Sequence, residues 1–200
     1  MVLEYGVFNF QLRWHVMKQS IVNQSTLNEG ILNKSQADLL LEAEILDFIN
    51  SKKTLQLATV DVKAKPNASY APFVYFEQGF YVLISELARH TQNILNNPSA
   101  SLMLIEEESE AKDLYARVRL TFDAEAVIVS RETQQWQDVI ELMINRLGNT
   151  VQGLSQFTDF HLVKLKVKQG LYVKGFGQAY QVLANDLAHQ IHINKSHSNA

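Results

Sequence analysis

Three of the six histidines, His189, His192 and His197, fall in the last twelve residues of the chain. Neutral imidazole is the right ligand type for haem iron, and a histidine on a mobile terminal segment can swing onto such an iron as an axial ligand. The same pattern also describes a plain polar surface tail. Asp159 opens the run Asp159-Phe160-His161. A carboxylate beside an iron-bound imidazole accepts its second N–H, fixing the tautomer and raising ligand basicity. An aspartate that merely starts a strand looks identical in sequence.

Leu87-Ala88-Arg89-His90-Thr91 follows a strand-like run ending at Ser85 and puts Arg89, His90 and Thr91 at a helix N-terminus. Free N–H groups and the helix dipole favour an anion there, such as a flavin phosphate or a haem propionate. Simple capping with solvated charges is the plainer alternative. Arg117 and Arg119 share the polar face of the cleanest strand. Each could take a carboxylate in bidentate geometry or form a cross-strand ion pair. Gly175-Phe176-Gly177 interrupts a strand pattern, as at a bulge or a close backbone approach. Two stretches imitate motifs without completing them. Glu106-Glu107-Glu108 with Glu110 and Asp113 lacks the glycine and alternating spacing of a calcium loop, and reads as a solvated connection. Gly153-Leu154-Ser155 begins like a nucleophile elbow, but Phe157 stands where the last glycine belongs, which argues against a serine hydrolase.

The elements that must position these residues follow from periodicity. Leu39, Leu40, Ala43, Leu46, Phe48 and Ile49 recur at helical spacing after Ser35, a candidate N-cap. Thr54–Val62, Ala68–Phe76 and Gly79–Ser85 are short β-rich runs divided at Lys65-Pro66 and Gln78-Gly79. A helix over Leu87–Leu95 stops at Asn97-Pro98, and a strand follows at Ser101–Ile105. In Arg117–Val129, alternation puts Val118, Leu120, Phe122, Ala124, Ala126 and Ile128 on one face. Trp136, Val139, Ile140, Met143, Ile144 and Leu147 stripe a helix that ends at Gly148-Asn149. Phe160–Lys168 and Leu171–Tyr180 are expected to pair through a turn at Gln169-Gly170, ahead of a polar tail. Many short strands and few helices predict a mainly β fold, an antiparallel barrel with peripheral helices.

Length and composition bound the function. A chain of 200 residues, 46% hydrophobic and 20% charged, suits a single globular domain. The absence of cysteine excludes disulfide frameworks, zinc knuckles, thiolate-held iron–sulfur clusters and cysteine nucleophiles, and fits a reducing compartment. A net charge of −3 supplies no field for nucleic acid or an anionic membrane. No apolar run approaches the ~18 residues of a spanning helix, and the N-terminus lacks signal-peptide organisation, so a cytoplasmic protein is expected. Residues 1–35 are expected to form a flexible arm, misassigned or vector-derived up to Met17 if that methionine is the start. Residues 36–182 are expected to form the barrel, and 183–200 a histidine-bearing tail.

Taken together, these stretches resemble the HugZ/HutZ-type haem-utilisation family, a branch of the pyridoxamine-phosphate-oxidase-like split β-barrels, from about Leu39 to the C-terminus. Thr54-Leu55-Gln56-Leu57-Ala58-Thr59-Val60, Ser69-Tyr70-Ala71-Pro72-Phe73-Val74 and Leu87-Ala88-Arg89-His90-Thr91 with Asn97-Pro98 are shared widely among split barrels. Arg119-Leu120-Thr121-Phe122-Asp123-Ala124 and Gly153-Leu154-Ser155-Gln156 add to them. Gly170-Leu171-Tyr172-Val173-Lys174-Gly175-Phe176-Gly177-Gln178-Ala179-Tyr180, followed by a histidine tail, marks the haem branch. The resemblance implies a homodimer holding haem between subunits. His197 would be the axial ligand, with His192 as the neighbouring alternative. Asp159 would support that ligand from the other subunit, Arg119 would face propionates, and His90 would lie near the pocket. The activity implied is O2-dependent haem degradation for iron acquisition, driven by an external electron donor or reductase. Two alternatives share the fold: an FMN-dependent oxidoreductase of the pyridoxamine-phosphate-oxidase type, and a non-catalytic haem storage or delivery protein.

Overall fold

A computed structural model describes residues 35–183 and 186–192. Helix α1 (Gln36–Ser51) leads into strands β1 (Thr54–Val60), β2 (Pro66–Phe76) and β3 (Gly79–Ser85), then α2 (Arg89–Asn96) and β4 (Ser99–Ile105). After a single 3-10 turn come β5 (Arg119–Val129), α3 (Gln134–Leu147), α4 (Thr150–Leu154), β6 (Phe160–Gly175), β7 (Gln178–Leu183) and β8 (Asp186–His192). The sheet runs β3-β2-β1-β4-β5-β6, and pairing of β3 with β6 closes these six antiparallel strands into a barrel. β7 and β8 extend the sheet outward from β6. The expected mainly β, split-barrel fold with peripheral helices is what the chain adopts.

Period-two patterning explains the barrel. In β1, Leu55 and Leu57 point inward while Thr54, Gln56 and Ala58 are exposed. Leu120 and Phe122 from β5 meet Phe73, Phe80 and Val82 in the barrel core, where Phe80 packs 5.4 Å from Phe73 and 5.9 Å from Phe122 between ring centroids. α1 adds Leu41, Ile45 and Ile49 to this core. Leu39 and Leu40, expected on that buried face, are exposed, because three consecutive leucines leave the helix rotation open and Leu41 takes the inward position. β3 is buried on both faces, so it reads as a continuous apolar run. Its Tyr81 and Leu83 point out of the barrel into a second core beneath α3, formed with Trp136, Val139, Ile140 and Met143. The α3 stripe is therefore as predicted, with Thr133 as its N-cap and Gly148 at φ +97° ending it. Ile128 is exposed and Val129 joins the second core, so the alternation of β5 breaks at its last turn toward α3.

The C-terminal strands differ from expectation. Gln169-Gly170 is no turn: β6 runs unbroken through it, and Gly170 faces Phe122 across the pair with β5. A Cβ on Gly170 would sit 2.4 Å from Phe122 Cδ1 and 2.4 Å from the Thr121 carbonyl oxygen, so glycine is there for close approach beside a bulge at Phe122/Ala124. The hairpin lies instead at Gly175-Phe176-Gly177, where φ values of +155° and +68° suit glycine. Part of the expected tail is strand β8, paired antiparallel with β7 and contributing Leu187 to the barrel core. The N-terminal arm and residues 193–200 lie outside the described residues.

Candidate functional site

The predicted site residues divide between the two ends of β6. At its start, Asp159 accepts a hydrogen bond from Ser85 Oγ at 2.7 Å through Oδ2. The Asp159 carbonyl accepts the Glu86 N–H at 2.8 Å, which ties this loop to the end of β3. Its other carboxylate oxygen makes no hydrogen bond among the described residues, leaving an acceptor for a further donor. His161, two residues on in β6, meets Glu86 with 2.5 Å between Nε2 and Oε1.

α2 begins beside these residues. His90 is half-buried, and burial holds its imidazole below the usual histidine range. Arg89 lies 3.7 Å from Asp61 in a half-exposed ion pair. The helix starts at Ala88 without a side-chain cap, and the Thr91 hydroxyl is fully buried with no hydrogen-bond partner among the described residues. Asn93, also buried, donates to Thr59 Oγ1 at 2.9 Å and fixes α2 against β1.

Arg119 stands at the other end, opposite Val173 in β6 and Ile105 in β4. The two neighbouring arginines have different surroundings. Arg117 donates to the Glu106 carbonyl and pairs with Glu108 at 3.3 Å, so its charge is occupied within the β4–β5 connection. Arg119 is half-buried, makes one 3.2 Å hydrogen bond to the Arg117 carbonyl, and forms no ion pair among the described residues. A guanidinium held this way keeps its fork for an anion. β8 approaches the same end. His192 closes it opposite Tyr180, which lies opposite Tyr172, which in turn lies opposite Leu120. His189 is also in β8, and His197 lies outside the described residues.

The motif imitations resolve as structure. Glu106 accepts the Val118 N–H at 3.1 Å, while Glu107, Glu108, Glu110 and Asp113 are exposed, so the run is a solvated connection anchored at its first residue. Ser155 is buried at the end of α4 and donates to the Gln152 carbonyl, far from a nucleophile's exposure. Among the described residues, no cluster of three or more histidine, aspartate or glutamate side chains could hold a metal ion. Sequence reasoning did not find Ser85 and Glu86. The signal for Glu86 was faint: strand pairing of Ile84 with His161 decides that the two meet, and pairing partners are not written in either segment.

A family model for pyridoxamine 5'-phosphate oxidase matches residues 41–174. The chain belongs to this family of split barrels. Within it, the chain is 54% identical over 157 residues to the protein of Vibrio cholerae named heme oxygenase HutZ, covering 78% of this chain and 89% of that one. The crystal structure of Vibrio cholerae HutZ, described there as a heme storage protein, superposes with a TM-score of 0.64 over 67% of this chain and 94% of that chain. Campylobacter jejuni ChuZ is 28% identical, with a TM-score of 0.67, covering 92% of this chain and 76% of that one.

Proposed function

We propose that the protein binds haem between two copies of itself and degrades it with O2, releasing iron. The observation that carries this reading is Arg119, a half-buried guanidinium without a carboxylate partner among the described residues, at the barrel end that β8 approaches. The donor set fits haem as substrate. Arg119 would hold a propionate in charge-assisted hydrogen bonds, and His197 would ligate the iron through a neutral imidazole, with His192 as the alternative. Asp159 would accept the other imidazole N–H through its unused oxygen, and His90 would border the pocket. Bound haem supplies the oxygen chemistry, with electrons from an external donor or reductase.

Connectivity favours a homodimer. β8 runs in the direction of β6, so the chain leaves His192 away from Asp159. Residues 193–197 span at most about 18 Å fully extended. The stretch of chain from Asp159 to Tyr172 is about 40 Å long at strand rise, and even bent to a half circle its ends would be about 25 Å apart. With side chains included, a single chain would have to run fully extended and straight toward Asp159 to close that gap, so two subunits supply an Asp159–His197 pair more readily.

Two titrations test the reading. Hemin added to the purified protein should give a saturable, sharpened Soret band, and ascorbate in air should convert it to biliverdin-like absorbance even with catalase present. Arg119→Gln should weaken hemin binding about 10-fold, the effect of losing a charge-assisted pair. A Soret band that persists under ascorbate and air would make the protein a haem carrier, the storage role described for HutZ. Absence of saturable binding, with flavin in the protein as purified, would instead favour FMN-dependent oxidation.

A further inference from the structure

We propose that Arg131 is the positioning residue for Asp159, an assignment that rests on the role given to Asp159 above. Residues 155–159, which deliver Asp159 to the start of β6, form only turns and a bend. Arg131, two residues past β5, gathers this loop. One guanidinium nitrogen donates to the Ser155 carbonyl at 2.5 Å, and the other donates to the Phe157 carbonyl and, at 2.6 Å, to the Phe160 carbonyl. The three accepting residues bracket Asp159 in sequence. The guanidinium also lies 4.5 Å from the ring centre of Trp136, which is buried in the second core and gives the cation a rigid seat.

Without a cation, the three carbonyl dipoles would converge on one point and repel one another. A planar fork with five N–H donors satisfies them together, whereas the compact ammonium of lysine cannot reproduce that geometry. No hydrogen bond joins Arg131 to the Asp159 carboxylate; its bonded hold on Asp159 runs through the loop backbone. With the loop clamped and Ser85 holding Oδ2, the remaining oxygen of Asp159 points in a fixed direction. Arg131 thus orients the carboxylate without touching substrate.

A merely structural staple would affect stability but not the iron–imidazole bond, so the test compares Arg131→Gln, Asp159→Asn and the double variant in the full-length, hemin-loaded protein. Arg131→Gln should slow ascorbate-driven haem loss about 10-fold, as expected for lost support of a ligand, while hemin affinity changes less than about 3-fold. The iron–histidine vibrational band of the reduced complex should shift in the same direction in both single variants. The double variant should be no slower than Asp159→Asn alone, because the two changes act on one group. In the haem-free protein, the Glu86 amide, bonded to the Asp159 carbonyl, should exchange its hydrogen faster in Arg131→Gln. Should Arg131→Gln fail to fold, Arg131→Lys, which keeps the charge, should show the same band shift with a smaller loss of rate.

Rate losses that multiply in the double variant, or an unmoved vibrational band, would reduce Arg131 to a loop staple and overturn the proposal. An altered Asp159→Asn beside an unaltered Arg131→Gln would overturn it alone. An unaltered Asp159→Asn would remove the reading of Asp159 and this proposal with it.

Discussion

Arg117 and Arg119 show how little residue type says without a partner. Alternation in sequence puts both on one strand face, yet Arg117 lies before β5 and closes an ion pair with Glu108, while Arg119, the first residue of β5, has no carboxylate among the described residues. The expected strand from Arg117 starts two residues later, and that shift leaves Arg117 in the connection beside Glu108 while Arg119 pairs opposite Ile105. His90 gives a pH dependence at the same scale. Burial lowers its folded-state affinity for protons, so the unfolded chain, with an ordinary histidine, binds more protons as the pH falls through about 6.5. Stability from this group is therefore present above that pH and lost below it. Denaturant melts at pH 7.5 and 5.5 should show a larger loss for the native protein than for His90→Gln. Equal losses would mean that His90 is no more burdened by protonation than a histidine in water. Arg89-His90-Thr91 does open a helix, α2, as its sequence suggests, but the arginine of that trio is paired with Asp61.

At the scale of elements, the strands were legible where alternation is clean and illegible where glycine has two meanings. β1 and α3 follow from periodicity, and β3 from a continuous apolar run bounded by a turn signal at Gln78-Gly79. Gly170 and Gly175 are alike in sequence, but one sits in mid-strand against Phe122 and the other opens a hairpin. The difference lies in what packs across the sheet, which no local pattern records. Gly170→Ala should consequently be destabilising by about 2–3 kcal/mol, the cost of overpacking a site where a fully buried ring and a backbone carbonyl stand in the way. Urea unfolding measures it; a change below about 0.5 kcal/mol, the range of ordinary surface substitutions, would mean that β6 shifts freely there. The hairpin glycines can be replaced only against backbone strain, since Gly177 has φ +68°. β8 was missed because its seven residues, Asp186-Leu187-Ala188-His189-Gln190-Ile191-His192, are polar enough to read as tail, and pairing along β7 supplies what their composition lacks.

At the scale of the molecule, the barrel separates the proposed ligands into two groups. Ser85, Asp159, His161 and the start of α2 lie at one end of β6, and Arg119 with the last residue of β8 at the other. One chain thus carries both halves of the proposed site at separate places, and a twofold pair of copies, the commonest symmetric assembly, would bring the halves together. The central claim is that one haem-degrading site is assembled from two copies. Mixing Asp159→Asn and His197→Ala proteins under conditions that allow subunit exchange tests it most directly. Each variant alone lacks one member of every site, whereas random mixed dimers restore one intact site apiece, about a quarter of the native number of sites. Ascorbate-driven haem loss by the mixture should therefore rise well above the sum of the separate variants, toward about a quarter of the native rate. A mixture that exchanges subunits and is no faster than its components would contradict a shared site.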